Sequence, residues 1–317
     1  MIRKPLKLFA GSSHPLLAQE IAKYLKIPVS ETINTRFANG EIYVRPVETV
    51  RGYDVYVVQT CTERVNEELM ELFILLDSLK RSFSGKIHVV MPHYGYARQD
   101  RVAQPREPIT AKLVADLMSA AGADHVITMA LHSDQEQGFF DFPVDNLNPR
   151  KLFVEYFRRK KIKDLIIVST DAGGAKDVKK FADMCGVDFA LVHKTRPKAN
   201  VSEVLHVVGN VEGKTCLIYD DMIDTGGSVV NAARALRQRG ANKDMYLAAV
   251  HAVFSDPCVS RLKEAKFREV VVSNSIPLAP QKRFRGLTVL SVAPLLAQIV
   301  ENVHESKSVT KIFDDRP

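Results

Sequence analysis

Residues 214–251 read KTCLIYDDMIDTGGSVVNAARALRQRGANKDMYLAAVH. An apolar run, Cys216-Leu217-Ile218, leads into three carboxylates, Asp220, Asp221 and Asp224, and then into Thr225-Gly226-Gly227-Ser228. The segment that follows, VVNAARALRQRG, has the apolar spacing of an amphipathic helix. A second apolar run then ends at His251. Strand, polar loop, helix, strand is the signature of a βα unit in a parallel sheet.

The same order recurs in residues 86–132, from KIHVVMPHYGYARQDR to ITAKLVADLMSAAGADHVITMALH, with Gly-Ala before the second strand and a histidine after it. The first copy is longer only in the loop after its first strand. Upstream, LKLFAGSSHPLLAQEIAKYL and LIIVSTDAGGAKDVKKFADMCG match more loosely, each a strand, a small-residue turn and a helix. Two copies of one unit predict an α/β chain of two tandem, internally duplicated domains, each a mainly parallel sheet flanked by helices. With the boundary near Asn146-Leu147-Asn148-Pro149, the domains are expected at 1–147 and 148–317. In such folds ligands sit at the carboxyl ends of strands, and every motif below falls at such an end.

Composition narrows the class. Hydrophobic residues make up 46% and charged residues 26% of the chain, ordinary values for a globular protein. No run approaches the ~20 apolar residues of a membrane span, and the apolar part of MIRKPLKLFAGSSHP is too short and interrupted for a secretory signal. The four cysteines lie far apart with no CxxC pair, as expected of reduced thiols in a cytoplasmic protein. A net charge of +7 points to an acidic partner. The one dense cluster, Arg158-Arg159-Lys160-Lys161, ends a predicted helix and offsets its dipole. Neither nucleic acid, which would call for a contiguous basic face, nor a membrane is expected as a partner. GNVEGKT (209–215) has the look of a Walker loop, but its glycines are one residue too close and it opens a strand rather than a helix.

The loop Thr225–Ser228 joins a strand to a helix. Its glycines let backbone N–H groups converge at a positive helix N-terminus, and Thr225 and Ser228 add hydroxyl donors, so a phosphate monoester is the natural occupant. Asp220 and Asp221 would repel a phosphate but accept hydrogen bonds from vicinal hydroxyls. A pentose phosphate meets both conditions. PHYGYARQDR (92–101) gathers Tyr94, Tyr96, Arg98, Gln99, Asp100 and Arg101 in one loop, suited to an aromatic base. His132, in ALHSDQEQGFFDFPVDNL (130–147), is a candidate metal ligand, phosphate contact or acid–base group. Lys194 and Arg196, in HKTRP (193–197), could close over a polyphosphate.

The stretch DDMIDTGGS resembles the phosphoribosyl-diphosphate signature of the type I phosphoribosyltransferase fold. With RFANGE (36–41), PHYGYARQDR, REPITAKLVADL, HSDQEQGFFD, the Lys194/Arg196 pair, PKANVSEV and GNVEGKT in the same order, essentially the whole chain resembles the ribose-phosphate pyrophosphokinase family. The resemblance implies transfer of the β,γ-diphosphoryl group of Mg²⁺–ATP to ribose 5-phosphate. It implies that Phe37, Asn39 and Glu41 hold adenine from a neighbouring subunit, with Arg98, Gln99 and Asp100 in the same ATP site. His132 and Asp171 would serve the Mg²⁺ centre, and Lys194 and Arg196 the transferring group. Asp220, Asp221, Asp224, Thr225, Gly226, Gly227 and Ser228 would bind ribose 5-phosphate, with Arg196 also touching it. ESKSVTKIF (305–313) is similar to the tail of the phosphate-activated, ADP-inhibited hexameric class, which implies a homohexamer.

The chain departs from the family pattern in places. Ala130 stands where an acid is usual, Glu136 where an apolar residue is usual, Thr170 in place of proline, Asp177 in place of arginine, and Thr195 in place of a basic residue. Residues 102–105 lack the usual cation after QDR. The expected effect is fewer cations along the polyphosphate path. Two other readings share parts of the pattern. A nucleobase phosphoribosyltransferase would not need a second domain or the Lys/Arg flap, and a non-catalytic regulatory homologue would normally have lost Lys194, Arg196 or His132.

Overall fold

The computed structural model describes residues 5–195 and 204–313. Among them the chain forms two compact units, one taking the chain up to Asn148 with Ser275–Pro277 and Ser291–Phe313, the other Pro149–Asn274 with Leu278–Leu290.

The first unit runs β1 (Leu6–Ala10), α1 (Pro15–Leu25), β2 (Val29–Ser30), β3 (Thr32–Arg36), β4 (Ile42–Pro46), β5 (Asp54–Val58), α2 (Val65–Arg81), β6 (Ile87–Met91), α3 (Thr110–Ala121), β7 (His125–Met129) and β8 (Val144–Leu147). Its main sheet has the order β2-β1-β5-β6-β7-β8, and every pairing is parallel. All positions of β6 and β7 are buried and, apart from His88, His125 and Thr128, apolar without alternation, as a sheet covered on both faces requires. On α2, Leu69, Leu72, Leu76 and Leu79 recur at helical spacing and are buried. β3 and β4 form a separate antiparallel hairpin.

The second unit runs α4 (Arg150–Lys160), β9 (Leu165–Ser169), α5 (Ala175–Cys185), β10 (Phe189–Thr195), β11 (Val204–Val208), β12 (Thr215–Ile223), α6 (Gly227–Gln238), β13 (Tyr246–Ala252), α7 (Cys258–Ala265), β14 (Glu269–Ser273) and β15 (Leu287–Leu290). Its sheet order is β11-β10-β9-β12-β13-β14-β15. Only the β10–β11 pair is antiparallel. The two parallel sheets are the duplicated α/β architecture read from the sequence.

Two details differ from that reading. By sheet position β12-α6-β13 corresponds to β5-α2-β6, whereas the sequence overlay matched it to β6-α3-β7. Apolar strand, helix and Gly-Ala turn recur in every βα unit, so the pattern could not distinguish one unit from the next. The C-terminal helix, α8 (Ala293–His304), followed by the single turn α9 (Thr310–Phe313), packs with the first unit instead of completing a contiguous domain over 148–317. Its apolar face, Ala293, Leu296, Ala297, Ile299 and Val300, lies with Leu17, Ala18, Ile21 and Ala22 of α1 in a helix pair. Periodicity marks that face as buried but does not say against which unit.

Cys61, Cys216 and Cys258 are buried free thiols, and burial pushes each up to about 12. They remain protonated and unreactive.

A polar seam crosses the first sheet. Tyr56, His88 and His125 are lateral partners on β5, β6 and β7, with the Tyr56 and His88 rings stacked at 4.2 Å. His88 Nδ1 lies 3.0 Å from His125 Nδ1, and His125 Nε2 lies 3.1 Å from Asp145 Oδ2 on β8. Burial, and then the neighbouring His125, depress His88 to about 4. A histidine held neutral in this way contributes stability that is present above its unfolded value and lost as pH falls through its folded value. The full chain is therefore expected to lose on the order of 2–3 kcal/mol between about pH 6.5 and pH 4. Urea midpoints across this window should show a slope that flattens in His88→Phe.

Candidate active site

In the second sheet β9 lies between β10 and β12, so the connections leaving it diverge there. Such a switch point leaves a crevice beyond the strands' carboxyl ends. The loop after β9 and the end of β12 meet in it. Val168 pairs with Ile218, and because strand side chains alternate, Thr170 and Asp220 two residues further on share a face. The Thr170 hydroxyl donates to Asp220 Oδ2 at 2.6 Å, and the Asp221 N–H donates to Asp220 Oδ1 at 2.9 Å. Asp221 Oδ1 in turn accepts from the Met222 N–H at 2.8 Å. Burial, then the charge of Asp221, hold the Asp220 carboxyl well above the usual carboxylate range. A pair of crowded carboxylates suits neutral hydroxyls and repels anions.

Beyond Ile223 the chain turns through Asp224 and Thr225 into α6, with Gly226 as its cap at φ +76°. A Cβ on Gly226 would stand 3.2 Å from Cys258 Sγ, so both conformation and space call for glycine. Ser228 is the second residue of the helix rather than its cap, and it and Thr225 are exposed at the mouth of the loop. Arg261 of α7 donates to the Thr225 carbonyl at 3.1 Å, fixing the loop from behind. The open N–H groups at the start of a 12-residue helix make an anion cradle beside the two acids.

Asp171 is exposed in the loop after β9. Its Oδ1 accepts from the Gly174 N–H at 2.9 Å, and its carbonyl accepts from the Ser169 hydroxyl at 2.7 Å. On β10, Lys194 is paired through its backbone with Leu205 of β11; Arg196 lies outside the described residues. The second unit thus brings Asp171, Asp220, Asp221 and the loop Asp224–Ser228 to one crevice.

The remaining expected residues lie in the first unit. Arg98, Gln99 and Asp100 follow β6; Gln99 Oε1 accepts from the Thr110 hydroxyl at 2.5 Å, tying this loop to the start of α3. Tyr94, grouped with them in the sequence, is a core residue with its hydroxyl on the Ala111 carbonyl at 2.7 Å. His132 is exposed in the loop after β7. Phe37, Asn39 and Glu41 form the tip of the β3–β4 hairpin, closed by the Phe37 N–H on the Glu41 carbonyl at 2.9 Å and the Glu41 N–H on Asn39 Oδ1 at 3.2 Å. Phe37 is 56% exposed there, an unusual site for a large aromatic. The described residues contain no group of three or more His, Cys, Asp or Glu that could close around a metal.

The first unit has its own switch point, between β1 and β5, where side chains at the strand ends bond one another beside a cavity of about 650 Å³ lined in part by Gly11, Ser12 and Glu71. Gln59, which follows β5 as Asp220 ends its apolar run on β12, accepts from the Ser13 N–H at 3.1 Å and the Ser13 hydroxyl at 2.6 Å. Glu71 Oε1 takes the Ser12 N–H at 2.6 Å. A Cβ on Gly11 would come within 2.2 Å of Gln59 Oε1.

A profile of the N-terminal domain of ribose phosphate pyrophosphokinase matches residues 6–122, and one of the phosphoribosyl synthetase-associated domain matches residues 196–314. The ribose-phosphate pyrophosphokinase of Clostridium acetobutylicum is 47% identical over 314 residues, covering 98% of each chain. That of Bacillus subtilis is 46% identical over 310 residues with the same coverage. The chain belongs to the ribose-phosphate pyrophosphokinase family. The crystal structure of phosphoribosylpyrophosphate synthetase from Mycobacterium smegmatis superposes with a TM-score of 0.91 at 48% identity, over 96% of this chain and all of that one.

Against the pattern of this family, three of the departures acquire a physical reason. Asp177, in the first turn of α5, meets Arg150 at 2.9 Å, and Arg150 is a fully buried guanidinium at the start of α4. An acid at a helix N-terminus is favoured by the dipole and here answers a buried cation. Glu136 is buried and closes a capping box with Ser133 on the short 3-10 turn after His132, its Oε1 accepting the Ser133 N–H at 2.8 Å. Thr170 supplies the donor to Asp220. Ala130 has φ +45°, a conformation costly for a residue with a Cβ; nothing in the structure explains alanine there.

Gly226→Ala is expected to cost about 1–2 kcal/mol from the left-handed conformation alone, and more from contact with Cys258. A thermal melt should show the loss, and ribose 5-phosphate should protect the variant less than it protects the parent.

Proposed function

We propose that the protein transfers the β,γ-diphosphoryl group of ATP to the anomeric hydroxyl of ribose 5-phosphate, giving 5-phosphoribosyl 1-diphosphate and AMP for nucleotide synthesis. The observation that carries this reading is the crevice of the second unit, where two carboxylates suited to a diol stand beside a helix N-terminus suited to a phosphate. Asp220 and Asp221 would accept the sugar hydroxyls, while Asp224, Thr225, Gly226, Gly227 and Ser228 would enclose the 5-phosphate, with Arg196 contributing to its charge balance.

Arg98, Gln99 and Asp100 would contact ATP. The exposed tip of the β3–β4 hairpin supports a role for Phe37, Asn39 and Glu41 in holding adenine of a neighbouring subunit in a homo-oligomer, a hexamer in this reading. The Phe37 ring meets only the edge of Tyr43, at 5.7 Å, and is 56% exposed, so a base stacked on its open face would add burial.

In the reaction the anomeric oxygen attacks the β-phosphorus in line. The bond from that phosphorus to the oxygen bridging the α-phosphate breaks, AMP leaves with the bridging oxygen, and the hydroxyl proton passes to solvent. ATP and a sugar phosphate are both anionic, so orientation and charge neutralisation dominate the barrier. Lys194 and Arg196 would lower it by neutralising the transferring group. Asp171 and His132 would each be a ligand for Mg²⁺, an ion that binds through few protein groups and otherwise through water and phosphate oxygens, so a dense ligand cluster is not required. When bound it would supply positive charge against the polyphosphate. This chemistry is consistent with a cytoplasmic enzyme with ATP at hand.

Purified protein with Mg²⁺ and ATP should release AMP only when ribose 5-phosphate is added, and Lys194→Ala should lower kcat by about 10²-fold or more. ATP binding without AMP release at any phosphate concentration would favour a regulatory homologue instead. Phe37→Ala should raise the KM for ATP by roughly tenfold, as loss of a base-stacking contact predicts, while the KM for ribose 5-phosphate stays put. Equal loss of both would count against the borrowed-subunit role.

A further inference from the structure

We infer that Thr170 is a positioning residue for sugar recognition, orienting the Asp220 carboxylate so that its remaining acceptor sites face the ribose diol. The inference rests on the proposed reading of the second unit's crevice and extends it to a residue at which the chain leaves the family pattern.

The strand register makes the case. Val168 and Ile218 are direct partners, so the position beside Asp220 on the neighbouring strand is that of Thr170. On the other side Asp220 pairs with Ala249 of β13, which has no polar side-chain atom to offer. Side-chain orientation of Asp220 from the flanking strands therefore comes from Thr170 alone, through the 2.6 Å hydrogen bond to Oδ2. The second restraint is local, the Asp221 N–H on Oδ1 at 2.9 Å. A carboxylate offers roughly four acceptor sites, and these two donors occupy one on each oxygen. Together with the neighbouring Asp221 side chain these donors set the plane of the carboxyl, and acceptor capacity remains on it for a sugar hydroxyl.

A proline at 170, as in the family pattern, would hold the backbone but give Asp220 no donor. Thr170 is also anchored on its own side. It lies between Ser169 and Asp171, whose hydroxyl and carbonyl are hydrogen-bonded to each other at 2.7 Å, and the Gly174 N–H closes the same turn on Asp171 Oδ1. The hydroxyl therefore comes from a braced turn, which makes it effective in orienting its partner. The equivalent place in the first unit is held by Gly11, over which Gln59 folds, so no carboxylate stands where Asp220 stands in the second.

The test compares the full-length protein with Thr170→Val, which removes the donor and keeps the β-branched shape, and Thr170→Ser, which keeps the donor. Ribose 5-phosphate affinity is read by calorimetry, and kcat and both KM values from AMP release. Thr170→Val is expected to weaken ribose 5-phosphate binding and raise its KM by about tenfold, the scale of one hydrogen bond to a charged group. The KM for ATP should stay within about twofold, and Thr170→Ser should recover most of the loss. Unchanged sugar-phosphate affinity in Thr170→Val overturns the inference. So does a parallel loss for both substrates with a lower Tm that serine does not rescue, since that is the mark of a structural role. If the parent protein binds ATP but never ribose 5-phosphate, the functional reading fails and takes this inference with it.

Discussion

The lateral pairing of β9 with β12 is the constraint on which the candidate site depends. Parallel strands in register bring the ends of two segments that lie far apart in sequence to the same rim, and there they place Thr170 against Asp220 and Asp171 nearby. Two adjacent carboxylates in a partly desolvated crevice repel each other, and the raised value of Asp220 registers that cost. Donors from Thr170 and from the Asp221 backbone offset part of it. A ligand with neutral hydroxyls can offset more, whereas a phosphate pressed against these acids would add to it. The helix N-terminus at Gly226–Ser228 offers the opposite environment a few residues on, so the crevice has one end suited to hydroxyls and one suited to an anion.

The same topology without those residues shows what the fold alone supplies. In the first unit the switch point between β1 and β5 is present, but Gln59, Ser12, Ser13 and Glu71 satisfy one another across it. Duplication of the sheet therefore did not duplicate the pair of acids, since Gln59 stands where Asp220 does. Gln59 and Ser13 there are held by each other rather than offered to a ligand, and parting them would expose a buried amide at a cost.

What the sequence made legible follows from the range of each interaction. Strand, loop and helix are written in local periodicity, and the motif Asp220–Ser228 is contiguous, so both were readable from residue order. The register of the internal repeat was not, because its shared marks belong to βα units in general. The docking of α8 on α1 was not, because an apolar helix face does not name its partner. Tyr94 read as part of a binding loop because its neighbours are polar, yet its own ring is core. The Thr170–Asp220 contact joins residues 50 apart, and only the sheet order discloses it.

The departures from the family pattern change meaning for the same reason. Read along the chain, Asp177 and Glu136 look like cations or apolar groups lost from a polyphosphate path. In the fold each has a partner: Asp177 answers the buried Arg150, and Glu136 caps the turn that follows His132. Burying Arg150 without an acid would strand a charge in the interior, so the aspartate at 177 answers a need that the arginine at 150 creates. These substitutions put hydrogen bonds and an ion pair into the supports of the loops that carry Asp171 and His132. Relative to that pattern the chain gives up a cation at position 177. Its loops are held instead by contacts that salt does not readily screen, since partly buried pairs are screened far less than exposed ones.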